Sequence, residues 1–141
     1  MYKRKIFVSF DFEHDRNYKY TLNMWNANSS FEFTCDDRSP SEIQTNSVGV
    51  VKQVLSRKIQ EADAVVVIVG KHANSPHPDR DQIGYRNWQN YEVAKGKELK
   101  KKLIAIQLDF SYEYPEELKN ASATRVYSFN QDAILKAVRC Y

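Results

Sequence analysis

Asp63–Gly70 reads DAVVVIVG, and five consecutive β-branched residues, Val65 to Val69, fill its centre. A run of this kind with no polar interruption has to be buried on both faces, which makes it the central strand of a parallel sheet. Gly70 ends it. On its N-terminal side, Val48–Glu61 carries Val51, Val54, Leu55 and Ile59 on one helical stripe, with Ser47 as its N-cap. Further upstream, Lys5–Phe10 (KIFVSF) reads as the first strand, DFEHDR as a polar turn, and Asn17–Ala27 as a helix with Tyr18, Leu22 and Trp25 at helical intervals and Met24 alongside. Phe31–Cys35 (FEFTC) alternates like a short strand, and the polar loop DDRSPSEIQTNS follows it.

On the C-terminal side, the loop KHANSPHPDRDQIG holds two prolines and cannot be helical throughout. Tyr85–Leu99 reads as a helix, Leu103–Leu108 (LIAIQL) as a second buried strand, and DFSYEYPEELKN as a loop with one helical turn. Thr124–Tyr127 reads as a short edge strand, and Gln131–Arg139, with Ile134, Leu135 and Val138, as the closing helix. Five strands alternating with four or five helices predict an α/β fold: a flavodoxin-like three-layer sandwich whose parallel sheet has the order 2-1-3-4-5, with helices on both faces. The 141 residues suit one domain, 1–141, and the chain shows no internal repeat.

Composition excludes several classes of function. A charge of +3, left from 21 basic and 18 acidic residues, is too small to predict nucleic-acid binding. The longest apolar run, Ala64 to Val69, falls far short of the roughly 20 residues of a membrane-spanning helix, so a soluble protein away from membranes is expected. MYKRKIFVSF is basic and then apolar, but its apolar stretch is too short for a signal peptide and has no small-residue cleavage site. Cys35 and Cys140 have no metal-ligand spacing and read as free thiols in a reducing, cytoplasmic setting. The basic cluster Lys95, Lys97, Lys100, Lys101 and Lys102 reads as a solvated helix terminus that complements the dipole.

Ligands of such sheets bind outside the carboxyl ends of the strands, where the winding reverses. Ser9, Phe10, Asp11 and Phe12 follow the first strand, and Gly70, Lys71 and His72 follow the third. Asp36, Asp37, Arg38 and Ser39 overhang the same edge. In NWQNYEVAKG, Trp88 and Glu92 stand four apart, so an indole and a carboxylate share one helix face. On spacing alone a packed indole beside a solvated carboxylate is the more common outcome. An apolar neighbour raises a carboxyl pKa, and a cleft gives the group something to act on.

In combination, KIFVSFDFEHD, DAVVVIVGKH and NWQNYEVAKGKELKKKLIAIQL resemble the bacterial TIR-like domain family that includes ThsB of Thoeris antiphage defence. The likeness spans about residues 4 to 108, and W-x-x-x-E is its most diagnostic part. It implies an enzyme that consumes NAD+ as a substrate, with no true cofactor and no metal, and cleaves the nicotinamide–ribose bond. It further implies an ADP-ribose-derived signal such as cyclic ADP-ribose, a separate effector that the signal activates, a phage-derived trigger, and homo-oligomers through TIR surfaces. By this resemblance Glu92 is the catalytic carboxylate, Trp88 shapes the ribose and nicotinamide pocket, Ser9, Phe10 and Asp11 form the opposing wall, and Gly70 lies close to the ligand.

Rival readings stand beside these. Ser9 caps a strand end or touches a ligand; Phe10 is core or site. Asp11 and Glu13 resemble a receiver domain's cation site, but the third strand ends in VGK without a phospho-acceptor aspartate. His72 and His77 with Asp79 are more often solvated than metal-bound at this spacing. Lys71 and Arg38 either neutralise a pyrophosphate or face solvent. DDRSPSEIQTNS is a mobile surface loop or completes a neighbouring chain's site. As whole-protein alternatives, a non-catalytic TIR-like interaction module and a nucleoside deoxyribosyltransferase-like enzyme remain.

Overall fold

The computed structural model describes residues 4–11, 14–26, 31–35, 47–119 and 121–139. Phe12, Glu13, Asp36, Asp37, Arg38, Ser39, the rest of the loop up to residue 46 and Cys140 lie outside the described residues. The elements are β1 (Arg4–Ser9), α1 (Arg16–Asn26), β2 (Phe31–Cys35), α2 (Val48–Glu61), β3 (Ala64–Val69), α3 (Arg80–Ile83), α4 (Trp88–Glu98), β4 (Lys102–Gln107), β5 (Ala123–Val126) and α5 (Gln131–Arg139), with a 3-10 turn at Glu116–Leu118. All strand pairs are parallel, and the sheet order is β2-β1-β3-β4-β5.

The β-branched run forms β3, and every residue of it is buried. Alternation along the strands divides its side chains between two cores. Val65, Val67 and Val69 join Phe7, Leu55, Ile59, Trp88 and Val93 beneath α2 and α4. Ala64, Val66 and Ile68 join Ile6, Val8, Phe10, Leu22, Ile104, Ile134 and Val138 beneath α1 and α5. The winding reverses between β1 and β3, whose chains leave toward opposite faces. The first layer needs α2 close to the sheet, and its entry is fixed by Ser47, whose hydroxyl accepts from the Val50 N–H at 3.4 Å.

Several boundaries differ from the sequence reading: β1, α1 and β4 each begin one residue earlier than expected, at Arg4, Arg16 and Lys102. The helix expected from Tyr85 begins at Trp88, because the Asn87 side chain caps it by accepting from the Asn90 N–H at 2.9 Å. Residues before the cap belong to a folded-back loop, held where His77 N–H meets the Arg86 carbonyl at 2.8 Å. Within that loop, Arg80–Ile83 makes one helical turn closed by Gly84 at φ 84°. The last strand starts one residue early, at Ala123, and Tyr127 stands 56% exposed beyond it. The lysine cluster is held as a helix terminus: Lys95 pairs with Glu98 at 2.8 Å, Lys97 with Glu117 at 2.9 Å, and Lys101 donates to the Gln60 carbonyl at 3.0 Å. Among the described residues no helix is long and apolar enough to cross a membrane.

Helix α4 carries both signature residues, and Gly96 sets how closely it lies on the sheet. A Cβ there would stand 3.1 Å from Leu103 Cδ2 and 3.2 Å from Val65 Cγ2. Gly96→Val is expected to lower unfolding stability by about 1–3 kcal/mol, because two further methyl groups overpack this contact and valine recovers little helix propensity. Urea denaturation of wild type and variant measures it.

Candidate active site

Where β1 and β3 part, the sheet ladder cannot satisfy the carbonyls at their ends. Gln89, buried in the first turn of α4, reaches into the gap and donates its amide to the Ile68 carbonyl at 3.0 Å and the Ser9 carbonyl at 3.4 Å. One turn later Glu92 is fully buried, and the Ser9 hydroxyl donates to its Oε1 at 2.6 Å. A short hydrogen bond is electrostatically stronger in a buried, low-dielectric setting than in water. Ser9 and Glu92, 83 positions apart in sequence, are thus one unit.

Outside these strand ends lies a cavity of about 510 Å³. Phe10 and Asp11 line it from the end of β1, His14 from the turn before α1, His72 and His77 from the loop after β3, and Trp88 and Gln89 from α4. Phe10 is at once core and lining, since it is fully buried among the residues beneath α1 and α5. Trp88 is 7% exposed, edge-on to Tyr91 at 5.7 Å and to His77 at 6.5 Å between ring centroids. Of the other residues singled out by sequence, Ser9 and Glu92 lie behind the lining, Gly70 is buried and Lys71 is exposed outside it. His72 and His77 share the cavity, but among the described residues no group of three or more His, Cys, Asp or Glu side chains is placed to hold a metal ion.

A side-chain amide network fixes the cavity's outer wall. Asn87 donates to the Ala73 carbonyl at 2.8 Å and the Ser75 carbonyl at 2.9 Å. Asn90, fully buried, donates to Asn74 Oδ1 at 3.1 Å and accepts from the Glu117 N–H at 3.0 Å. Asn74 also accepts from the Glu116 N–H at 3.0 Å and donates to Glu113 at 2.8 Å. Burying amides is tolerated because these donors and acceptors find partners. The loop bearing His72 and His77 is therefore tied to α4 and to the 3-10 turn.

The sequence reading missed Gln89, His14, Asp15 and the three asparagines. The available signal was position alone: His14 and Asp15 lie in the polar turn after β1, and the amides flank Trp88. Asp15 is 7% exposed, and a Cβ on Gly70 would overlap its carboxylate, so a larger residue at position 70 would have to displace the Asp15 side chain. Burial foremost, and then the charge of Asp11, raises the Asp15 pKa from 3.8 to about 6, while His14 and His72 act in the opposite direction. The folded protein thus binds this proton more tightly than the unfolded chain, and the associated stability is present below about pH 4 and lost as pH rises through about 6. Asp15→Asn mimics the protonated form. The melting temperature of wild type relative to Asp15→Asn is expected to fall between pH 4 and 6 and to level off above; a flat difference across that range would contradict the assignment.

Over residues 7–113 the chain matches the family model described as "Thoeris protein ThsB, TIR-like domain". No curated protein matches it by sequence. Among solved structures, a prokaryotic SEFIR domain is similar at 18% identity and a TM-score of 0.53, over 97% of this chain and 88% of that one. A 2-desoxiribosyltransferase from Leishmania mexicana is similar at 11% identity and a TM-score of 0.62, over 98% and 99%. At these identities the two structures show a shared fold.

Proposed function

The chain belongs to the TIR-like domain family of Thoeris protein ThsB, and from that membership we propose that it is an NAD-consuming enzyme of antiphage defence. The observation that carries the proposal is Glu92: a carboxylate fully buried at the switch point, held by the Ser9 hydroxyl at 2.6 Å, one helical turn from the indole that walls the cavity. NAD+ is the substrate and no cofactor is required. The nicotinamide ring rests against Trp88 and the ribose is directed toward the end of β1. The bond between ribose C1′ and the ring nitrogen breaks, its electron pair leaves with nicotinamide, and the ribosyl group takes on oxocarbenium character. Glu92 stabilises that positive charge, and does so strongly because its surroundings exclude water. Ser9 keeps one carboxylate oxygen fixed. The ADP-ribosyl group then passes to an acceptor, giving a signalling nucleotide that activates a separate effector once a phage component triggers the enzyme.

Full burial of Glu92 favours a second reading, a non-catalytic module that assembles through TIR surfaces, in which the Ser9–Glu92 pair serves only to lock α4 onto β1. The two readings part on one substitution. Glu92→Gln keeps an oxygen to accept from Ser9 and should fold normally. With the enzyme, nicotinamide release from NAD+ by concentrated protein, with or without lysate from phage-infected cells, drops by about 100-fold or more in Glu92→Gln, by analogy with loss of an electrostatic stabiliser. Absence of release from wild type under every condition supports the module instead.

A further inference from the structure

His14 and Asp11 form a dyad at the mouth of the cavity. His14 Nδ1 lies 2.7 Å from Asp11 Oδ2, and both residues line the cavity. An ionised carboxylate only accepts hydrogen bonds, so in the neutral imidazole the proton sits on Nδ1 and Nε2 keeps its lone pair. The side chain of His14 is 49% exposed and that of Asp11 18%, so the ring reaches both solvent and cavity while its partner is shielded. A second imidazole, His72, packs over the first with centroids 4.1 Å apart and planes inclined at 32°. Among the described residues, Asp11 from the end of β1, His72 from the loop after β3 and Asp15 just before α1 are titratable groups gathered around His14. This is the arrangement of an oriented general base, and it stands in the cavity lining itself, where an incoming molecule meets it.

Resting on the NAD-consuming reading, we propose that His14, oriented by Asp11, is the base that deprotonates the acceptor as it captures the ribosyl group. Breaking the C1′–nitrogen bond needs no base, since nicotinamide leaves neutral with the bonding pair. Capture does: an acceptor oxygen or nitrogen lone pair forms the new bond to C1′, the pair of the acceptor's O–H or N–H bond stays on that atom, and the proton moves to His14 Nε2. The imidazolium is paired with Asp11 and returns its proton to solvent. The acceptor is therefore any nucleophile that carries a removable proton, water included.

A nucleophile with no proton to lose separates capture from cleavage. Wild type and His14→Gln, incubated with NAD+ and 3-acetylpyridine, partition the ribosyl group between proton-bearing acceptors and the pyridine nitrogen, which exchanges for nicotinamide without a base. Chromatography gives the ratio of acceptor products to exchanged dinucleotide. This ratio does not depend on the fraction of folded protein, and His14→Asn provides the same readout if the glutamine variant does not fold. The expected result is a fall in the ratio of about 100-fold in the variant. An unchanged ratio, whether both products persist or both decline together, overturns the role of His14 and leaves the NAD reading standing. Failure of wild type to release nicotinamide or to exchange it overturns the NAD reading, and the base with it.

Discussion

Where β1 and β3 send their chains to opposite faces of the sheet, the carbonyls of Ser9 and Ile68 need a donor that the ladder does not supply. Gln89 meets that need from the first turn of α4. A buried carbonyl without a donor costs on the order of 1–3 kcal/mol, so the amide fixes where the helix enters as well as filling a gap. With Gln89 seated, helical spacing puts Trp88 at the cavity and carries Glu92 to the Ser9 hydroxyl. Gly96 then lets the remainder of the helix lie close against Val65 and Leu103. The site follows from a satisfied strand end and one helix register.

The same helix anchors the wall opposite. Asn87 and Asn90 hold the loop after β3 and the 3-10 turn through hydrogen bonds to backbone and to Asn74, which leaves His72 beside His14 on a supported segment. Rigidity of this kind is what a charge-stabilising site requires, because preorganised groups need not reorganise as charge develops. Asp11, His14 and His72 line one part of the cavity with Asp15 beside them, while Glu92 is buried against Ser9 outside the lining.

Much of this could be read from the chain. The β-branched run of β3 and the stripe of Val51, Leu55 and Ile59 are local patterns, and burial of those residues follows from them. The spacing of Trp88 and Glu92 on one helix was legible in the same way, but Trp88 lines the cavity while Glu92 is buried against Ser9 outside the lining. What escaped is non-local. Gln89, Asn74 and Asn90 carry no local pattern that marks them, and only the convergence of strand ends and loop gives them buried partners. His14 stood in a polar turn with nothing in its neighbours to predict His72 at stacking distance. The start of α4 moved to Trp88 because Asn87 offered a side-chain cap that competes with continuing the helix back to Tyr85.

In the proposed reaction the fully buried Glu92 has to meet the ribose. A crystal structure with carba-NAD, in which the scissile linkage cannot break, tests it most directly. The nicotinamide is expected against Trp88 and the ribose C1′ about 3–3.5 Å from a Glu92 oxygen, the distance of a near-attack arrangement. A dinucleotide bound elsewhere, or one in the cavity with Glu92 out of reach of the ribose, would contradict it.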